Sequence, residues 1–193
     1  MLETSLSLLE RLTGAPTEAD WRRLDDLYRP LLRTWVARAG VATSDVDDLV
    51  QDVLSVVVRR IAGFEWRGQG AFRAWLRTIL ANEVRDYFRH QKYRPIATGD
   101  SGFQGRLDEL ESPDSALSRL WDREHDQYVV RRALELIEPE FAASTWRAFR
   151  RVMIDGAAVE SVAAELGLSA NAIFIAKSRV LSRVRQVIRG LVD

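Results

Sequence analysis

Between Val46 and Arg94 three unlike stretches follow one another without a break: an acid-rich amphipathic segment, a glycine-containing turn, and an aromatic segment dense in arginine. In the first, Val46, Leu49, Val50, Val53, Val57 and Ile61 recur at i, i+3, i+4, i+7, i+11 and i+15, which predicts one buried stripe along a helix. Ser44 with Asp47 three residues on has the spacing of a capping box, which would start that helix. Asp45, Asp48 and Asp52 then share another face, near Gln51, and that face suits either solvent or a docked protein. The turn Phe64-Glu65-Trp66-Arg67-Gly68-Gln69-Gly70 carries two glycines that admit positive φ between two helices.

From Ala71 the helical period resumes. Phe72, Leu76, Ile79 and Leu80 supply its apolar side, while Trp75, Thr78, Asn82, Arg85 and Arg89 form a separate stripe at i, i+3, i+7, i+10 and i+14. From Arg67 to Arg94 seven basic residues stand against two acidic ones, Glu83 and Asp86, a local balance of +5 in a chain whose formal charge is zero. Aromatic faces that stack bases beside cations that track phosphates are what single-stranded nucleic acid requires. Trp66 and Trp75 fit that role and equally fit a place in the core.

The segments before and after are helical as well. Leu2, Leu6, Leu9 and Leu12 mark a short amphipathic helix closed by Gly14. Thr17 and Asp20 form a second capping-box signal, leading into Trp21, Leu24, Leu27, Tyr28, Leu31, Leu32 and Trp35 on one face, with Pro30 as a kink site. Residues 95–120 hold Pro95, Thr98-Gly99-Asp100-Ser101-Gly102 and Ser112-Pro113-Asp114, the chemistry of a linker. Beyond it, Tyr128 to Ile137 and Phe141 to Met153 mark two helices, and Ala157 to Ile173 reads as small helix, Gly167, Ser169 cap and longer helix. That is the grammar of a helix-turn-helix, although bundle corners share it. In the last helix Ile173, Ala176, Val180, Val184, Val187 and Leu191 face inward, while Lys177, Arg179, Arg183, Arg185 and Arg189 add five positive charges with no acid among them. Such a surface suits either a DNA groove or plain solvation, the late arginines being favoured by the helix dipole in either case.

The expected fold is therefore all-α, with two small helical domains and a flexible linker. At 193 residues, 47 % of them hydrophobic, the chain can build real cores. It has no cysteine, which excludes disulfides and thiolate chemistry. No apolar run approaches the roughly 20 residues that span a bilayer, and Met1-Leu2-Glu3-Thr4-Ser5 lacks a basic leader, so a cytoplasmic protein without membrane insertion is expected. His90 and His125 are isolated from ligand-spaced partners, and neither a phosphate loop nor a Ser-His-Asp order occurs, so no enzyme activity, cofactor or metal is implied.

Several separated motifs, in order, resemble region 2 of bacterial RNA polymerase sigma factors of the extracytoplasmic-function subgroup of the sigma-70 family: Val46-Asp47-Asp48-Leu49-Val50-Gln51-Asp52-Val53, Trp66-Arg67-Gly68, Ala71 through Ile79, Asn82 and Asp86-Tyr87. Gly156 through Leu168 and Lys177-Ser178-Arg179 are similar to region 4 of the same subgroup, with Ile173-Phe174-Ile175-Ala176 departing from its usual small or hydroxylated residue. The resemblance implies an N-terminal extension helix over 1–15, region 2 as a three-helix bundle over 16–94, a linker over 95–120 and region 4 as a four-helix domain over 121–193. It implies that Asp48, Leu49, Gln51 and Asp52 dock on the β′ coiled coil of core RNA polymerase. Trp66, Arg67, Gln69, Trp75, Arg77, Asn82, Arg85 and Arg89 would then hold the minus-ten element, and Ser169, Asn171, Phe174, Lys177, Ser178, Arg179, Ser182 and Arg183 the minus-thirty-five element. Promoter DNA, the polymerase β flap and an anti-sigma factor complete the implied partners. A helix-turn-helix repressor or activator, and a helical adaptor using only its acidic face, are the alternative readings.

Overall fold

In the computed structural model, residues 7–68, 70–91, 112, 115–189 and 191–192 are described. They are all-α: α1 Leu8–Thr13, α2 Glu18–Arg38, α3 Val46–Arg60, α4 Ala71–Gln91, α5 Ala116–Ile137, α6 Ala143–Met153, α7 Val159–Leu166 and α8 Ala170–Ile188, with single 3-10 turns at Ile61–Gly63 and Glu138–Glu140. Leu2 and Leu6 of the expected first helix, Gln69, residues 92–94 at the end of the expected region 2, and residues 95–111 and 113–114 of the expected linker lie outside the described residues.

Helix starts follow local chemistry. Ser7 with Glu10 and Thr17 with Asp20 each close a full capping box, so two otherwise orphaned backbone N–H groups are satisfied at the head of α1 and of α2. The box expected at Ser44 does not form. The N-cap falls one residue later, on Asp45, whose backbone is already helical (φ −104°, ψ −7°) and whose side chain makes no cap bond. Its carboxylate instead accepts from Ser44 Oγ at 2.7 Å and from Tyr87 Oη at 2.6 Å, which ties the head of α3 to α4.

The α3 stripe predicted from the period is buried throughout, and Phe72, Leu76, Ile79 and Leu80 of α4 meet it. Leu24, Leu27, Tyr28, Leu31, Leu32 and Trp35 of α2 form the third wall, and Leu8, Leu9 and Leu12 of α1 join the same core. The helix α5 then divides its loyalties: Trp121 and Val129 belong to this first core, whereas Ala133 and Ile137 belong to a second with Trp146, Phe149, Val180, Val184 and Val187. Trp121 is fully buried, edge-on to Trp35 at 5.1 Å, and donates its indole N–H to the Arg73 carbonyl at 3.2 Å. A tryptophan buried in this way contributes roughly 4–6 kcal/mol of gross hydrophobic stabilisation. The two halves are thus packed together along α5.

Pro30 sits inside α2 and has no N–H to give the carbonyl four residues back. That carbonyl, on Asp26, is taken by Arg132 of α5 at 3.1 Å. A defect in one helix has become an acceptor for its neighbour.

Candidate nucleic-acid interface

The turn after α3 is anchored from beneath. Ile61 is buried, and Phe64 lies 5.6 Å from Phe72 and 5.3 Å from Trp75, so the backbone is pinned on its apolar side. Gly68 and Gly70 take φ of 109° and 73°, values that side chains disfavour, and this reversal throws the segment between Phe64 and Gly68 outward. Trp66 is left 55 % exposed, the most solvent-accessible aromatic of the bundle's surface turn. Arg67 beside it is exposed and shares an ion pair with Glu65 at 2.9 Å, too exposed to hold it rigidly.

Along α4 the predicted stripe divides. Thr78, Asn82 and Arg89 face solvent, Trp75 and Arg85 are half-buried, and Trp75 completes an aromatic cluster with Phe64 and Phe72. Arg85 donates to Asn82 Oδ1 at 3.0 Å, and Arg89 pairs with Asp86 at 3.0 Å.

Arg77 departs from expectation. It is only 5 % exposed and is paired with Asp122 of α5 at 3.1 Å, so in this arrangement it does not face nucleic acid. Two residues along a helix turn it about 200° from Trp75. Its neighbour Arg73 reaches Asp126 at 2.8 Å and Asp122 at 3.5 Å, and His125 between those acids is buried, linked to Asp126 at 2.9 Å and to Tyr28 Oη at 3.2 Å. Burial disfavours the imidazolium and lowers the His125 pKa below its ordinary 6.5, against the pull of Asp126.

The acidic face is larger than the α3 sequence suggests. Asp45, Asp48 and Asp52 line one groove with Glu83, Asp86, Tyr87 and His90 of α4. Burial first, then Asp86 and Asp52, push the Glu83 carboxyl above its ordinary 4.5. Glu83 and Asp86 were visible only as exceptions within a basic stretch; their spacing of three puts them on one face of α4, as the spacings of three and four put Asp45, Asp48 and Asp52 on one face of α3, which was the available signal. Leu49, at 5 % exposure, belongs to the core and offers the groove only an edge. Gln51 is exposed but turns the other way, accepting from Arg29 at 2.8 Å.

At the other end of the chain, α7 stops at Gly167, which adopts the left-handed conformation (φ 64°, ψ 32°). Ser169 then caps α8, accepting from the Ala172 N–H at 3.1 Å. The chain bends by 103° between the two helices, within the range of a helix-turn-helix. Val162, Ile173 and Ala176 close the corner against Ala148 of α6. Ser169, Asn171, Phe174, Ser178, Arg179 and Ser182 are exposed on α8 and Lys177 is half-buried. Arg183 points elsewhere, to Glu140 at 2.5 Å and 3.0 Å, and the same carboxylate takes Arg23 of α2 at 2.9 Å. Hydrogen bonds from Arg183 and then Arg23 hold the Glu140 carboxyl below its ordinary 4.5.

No single helix among the described residues is long and apolar enough to cross a membrane. A family model for sigma-70 region 2 matches residues 24–94, the span that contains both the acidic groove and the exposed turn. Among curated proteins, the chain is 29 % identical over 115 residues to the ECF RNA polymerase sigma factor BldN of Streptomyces coelicolor, a match covering 60 % of this chain and 43 % of that protein. The match therefore spans less than half the length of that relative.

Proposed function

Because the chain belongs to the sigma-70 family, in its extracytoplasmic-function subgroup, we propose that it binds core RNA polymerase, directs it to particular promoters and stabilises their melting. The observation that carries this reading is the position of Trp66, held out into solvent by a turn whose base is packed, inside the segment matched by region 2. A base displaced from the duplex stacks on such a ring for about 1 to 3 kcal/mol, enough to bias an opening equilibrium and too little to drive it alone. Arg67, next to it in the turn, is proposed for a backbone phosphate, and further along the exposed side of α4 Asn82 is proposed for a base edge and Arg89 for another phosphate. Gln69 is proposed for the same loop from the sequence alone.

The other roles are assigned by chemistry. Asp48 and Asp52, with Glu83 and Asp86 behind them, form an anionic groove suited to a basic partner, and the β′ coiled coil is proposed for it. The region 4 assignment, the β flap contact and the minus-thirty-five element rest on the helix-turn-helix of α7 and α8, with Asn171, Ser178, Arg179 and Ser182 on its outer face. The proposed boundaries are 16–94 and 121–193, with cytoplasmic action and an anti-sigma factor as a candidate antagonist. The role involves no catalysis and no cofactor.

Copurification with core polymerase followed by run-off transcription tests the reading. A stable complex that initiates at selected promoters is expected. Specific duplex binding by the chain alone, without any complex with core polymerase, would instead identify a repressor or activator.

A further inference from the structure

The outer face of α8 is not what a purely electrostatic reader of DNA would carry. Phe174 is 54 % exposed and the adjacent Ile175 43 % exposed, while the inward side of the helix is already filled by Ile173, Ala176 and Val180. At 100° per residue Asn171, Phe174, Ile175, Ser178 and Ser182 fall within an arc of about 100°, with Arg179 at its edge. From Asn171 to Ser182 the arc runs about 16 Å, close to five base steps of a duplex. Two large apolar side chains thus stand in the first turns of the recognition helix, ahead of Arg179 and Arg185, which are exposed further along.

A surface that is apolar at two points and cationic around them selects a partner that is apolar at points within an anionic frame. The thymine C5-methyl group, projecting into a major groove walled by phosphates, has that character. We propose that Phe174 and Ile175 are specificity-determining residues that read thymine methyl groups in the upstream promoter element, and that the element therefore contains thymines at the base pairs met by the first turns of α8. This rests on the sigma-factor reading of the helix-turn-helix and deepens it. Asn171, on the same arc, is placed to pair with the adenine of a neighbouring step.

The test begins with a duplex library randomised over the upstream element, selected by the complex of the full chain with core polymerase. In the selected duplex each thymine is replaced in turn by uracil, which removes one methyl and leaves the hydrogen-bonding pattern intact. At one or two positions uracil is expected to weaken binding about four-fold, the loss of one buried methyl. Phe174→Ala or Ile175→Ala should bind the thymine duplex correspondingly less well and no longer distinguish it from the uracil duplex. Thermal melting of both variants should match the parent, since neither side chain is part of a core. Selective binding that is indifferent to uracil at every position overturns the methyl readout and leaves the sigma reading standing. Failure to form the polymerase complex, or to select any sequence, overturns the sigma reading itself. Weakened polymerase binding by Phe174→Ala, with the complex that still forms distinguishing thymine from uracil as the parent does, would make the patch a protein-docking surface and also overturn the inference.

Discussion

Trp66 and Phe72 are six residues apart and have opposite surroundings, which separates function from stability experimentally. Trp66→Ala removes an exposed ring, so the melting temperature is expected to stay within about 1–2 °C while open-complex formation falls by about 5- to 150-fold, measured with a fluorescent base analogue at the melted position. Phe72→Ala empties a fully buried site and is expected to cost about 3–5 kcal/mol, visible in denaturant unfolding. Glu83 gives a third measurement. Its folded pKa lies above the unfolded value, so the ionised carboxylate opposes folding at neutral pH and that opposition is relieved as pH falls toward the raised pKa. Glu83→Gln is therefore expected to raise the melting temperature at pH 7, with the gain fading as pH falls through the carboxylate range, and to weaken core-polymerase binding. A gain that grows as pH falls would contradict the assigned cause.

Elements whose cause is local were legible in the sequence, and those whose cause lies across the fold were not. The capping pair Thr17 and Asp20, the α3 stripe and the Gly167-Ser169 corner are set by residues within a few positions of one another. Ser44 does not cap because its hydroxyl donates to the Asp45 carboxylate, which Tyr87, 42 residues away, also engages, while its box partner Asp47 pairs with Arg33 of α2. Arg77 read as a DNA contact because its partner Asp122 is 45 residues distant, and the spacing of α4 alone cannot reveal it. The exposed Trp66 could not be told from a core tryptophan by sequence, since only the packing of Phe64 beneath the turn decides the matter. At the helix-turn-helix corner the same locality yields a prediction. A Cβ at Gly167 meets nothing within 4 Å, so Gly167→Ala is expected to destabilise only through its positive φ, by about 1–2 kcal/mol in chemical denaturation, with duplex affinity falling no further than the unfolded fraction requires.

At the scale of the whole molecule the packed arrangement and the proposed task conflict. A compact chain of 193 residues has a radius of gyration of about 16 Å and a diameter of about 40 Å. Elements named for positions minus-ten and minus-thirty-five are 25 base steps apart, about 85 Å along a straight duplex. On the proposed function the halves would separate before both elements are held, and with residues 121–193 moving as the proposed second domain α5 would leave the first core, taking Trp121 from beside Trp35 and Asp122 and Asp126 from Arg77 and Arg73. That release is what would return Arg73 and Arg77 to the surface. Because the chain has no cysteine, donor and acceptor dyes can be placed cleanly at Ala62→Cys and Ser161→Cys, both exposed, one in each half. Energy transfer is expected to be high in the free chain and to fall once core polymerase and promoter are added. Unchanged transfer in a transcribing complex would refute the separation. The same dyes report a pH effect: His125, facing Tyr28 of α2, Arg73 of α4 and its own neighbours Asp122 and Asp126, has a folded pKa below its unfolded value. The released state takes up the proton first, so docking weakens as pH falls below about 6.5, by at most about ten-fold per pH unit. His125→Gln keeps a group able to bond Tyr28 and cannot be protonated in that range, so its transfer efficiency is expected to be flat between pH 7 and pH 5.5 where the parent's declines.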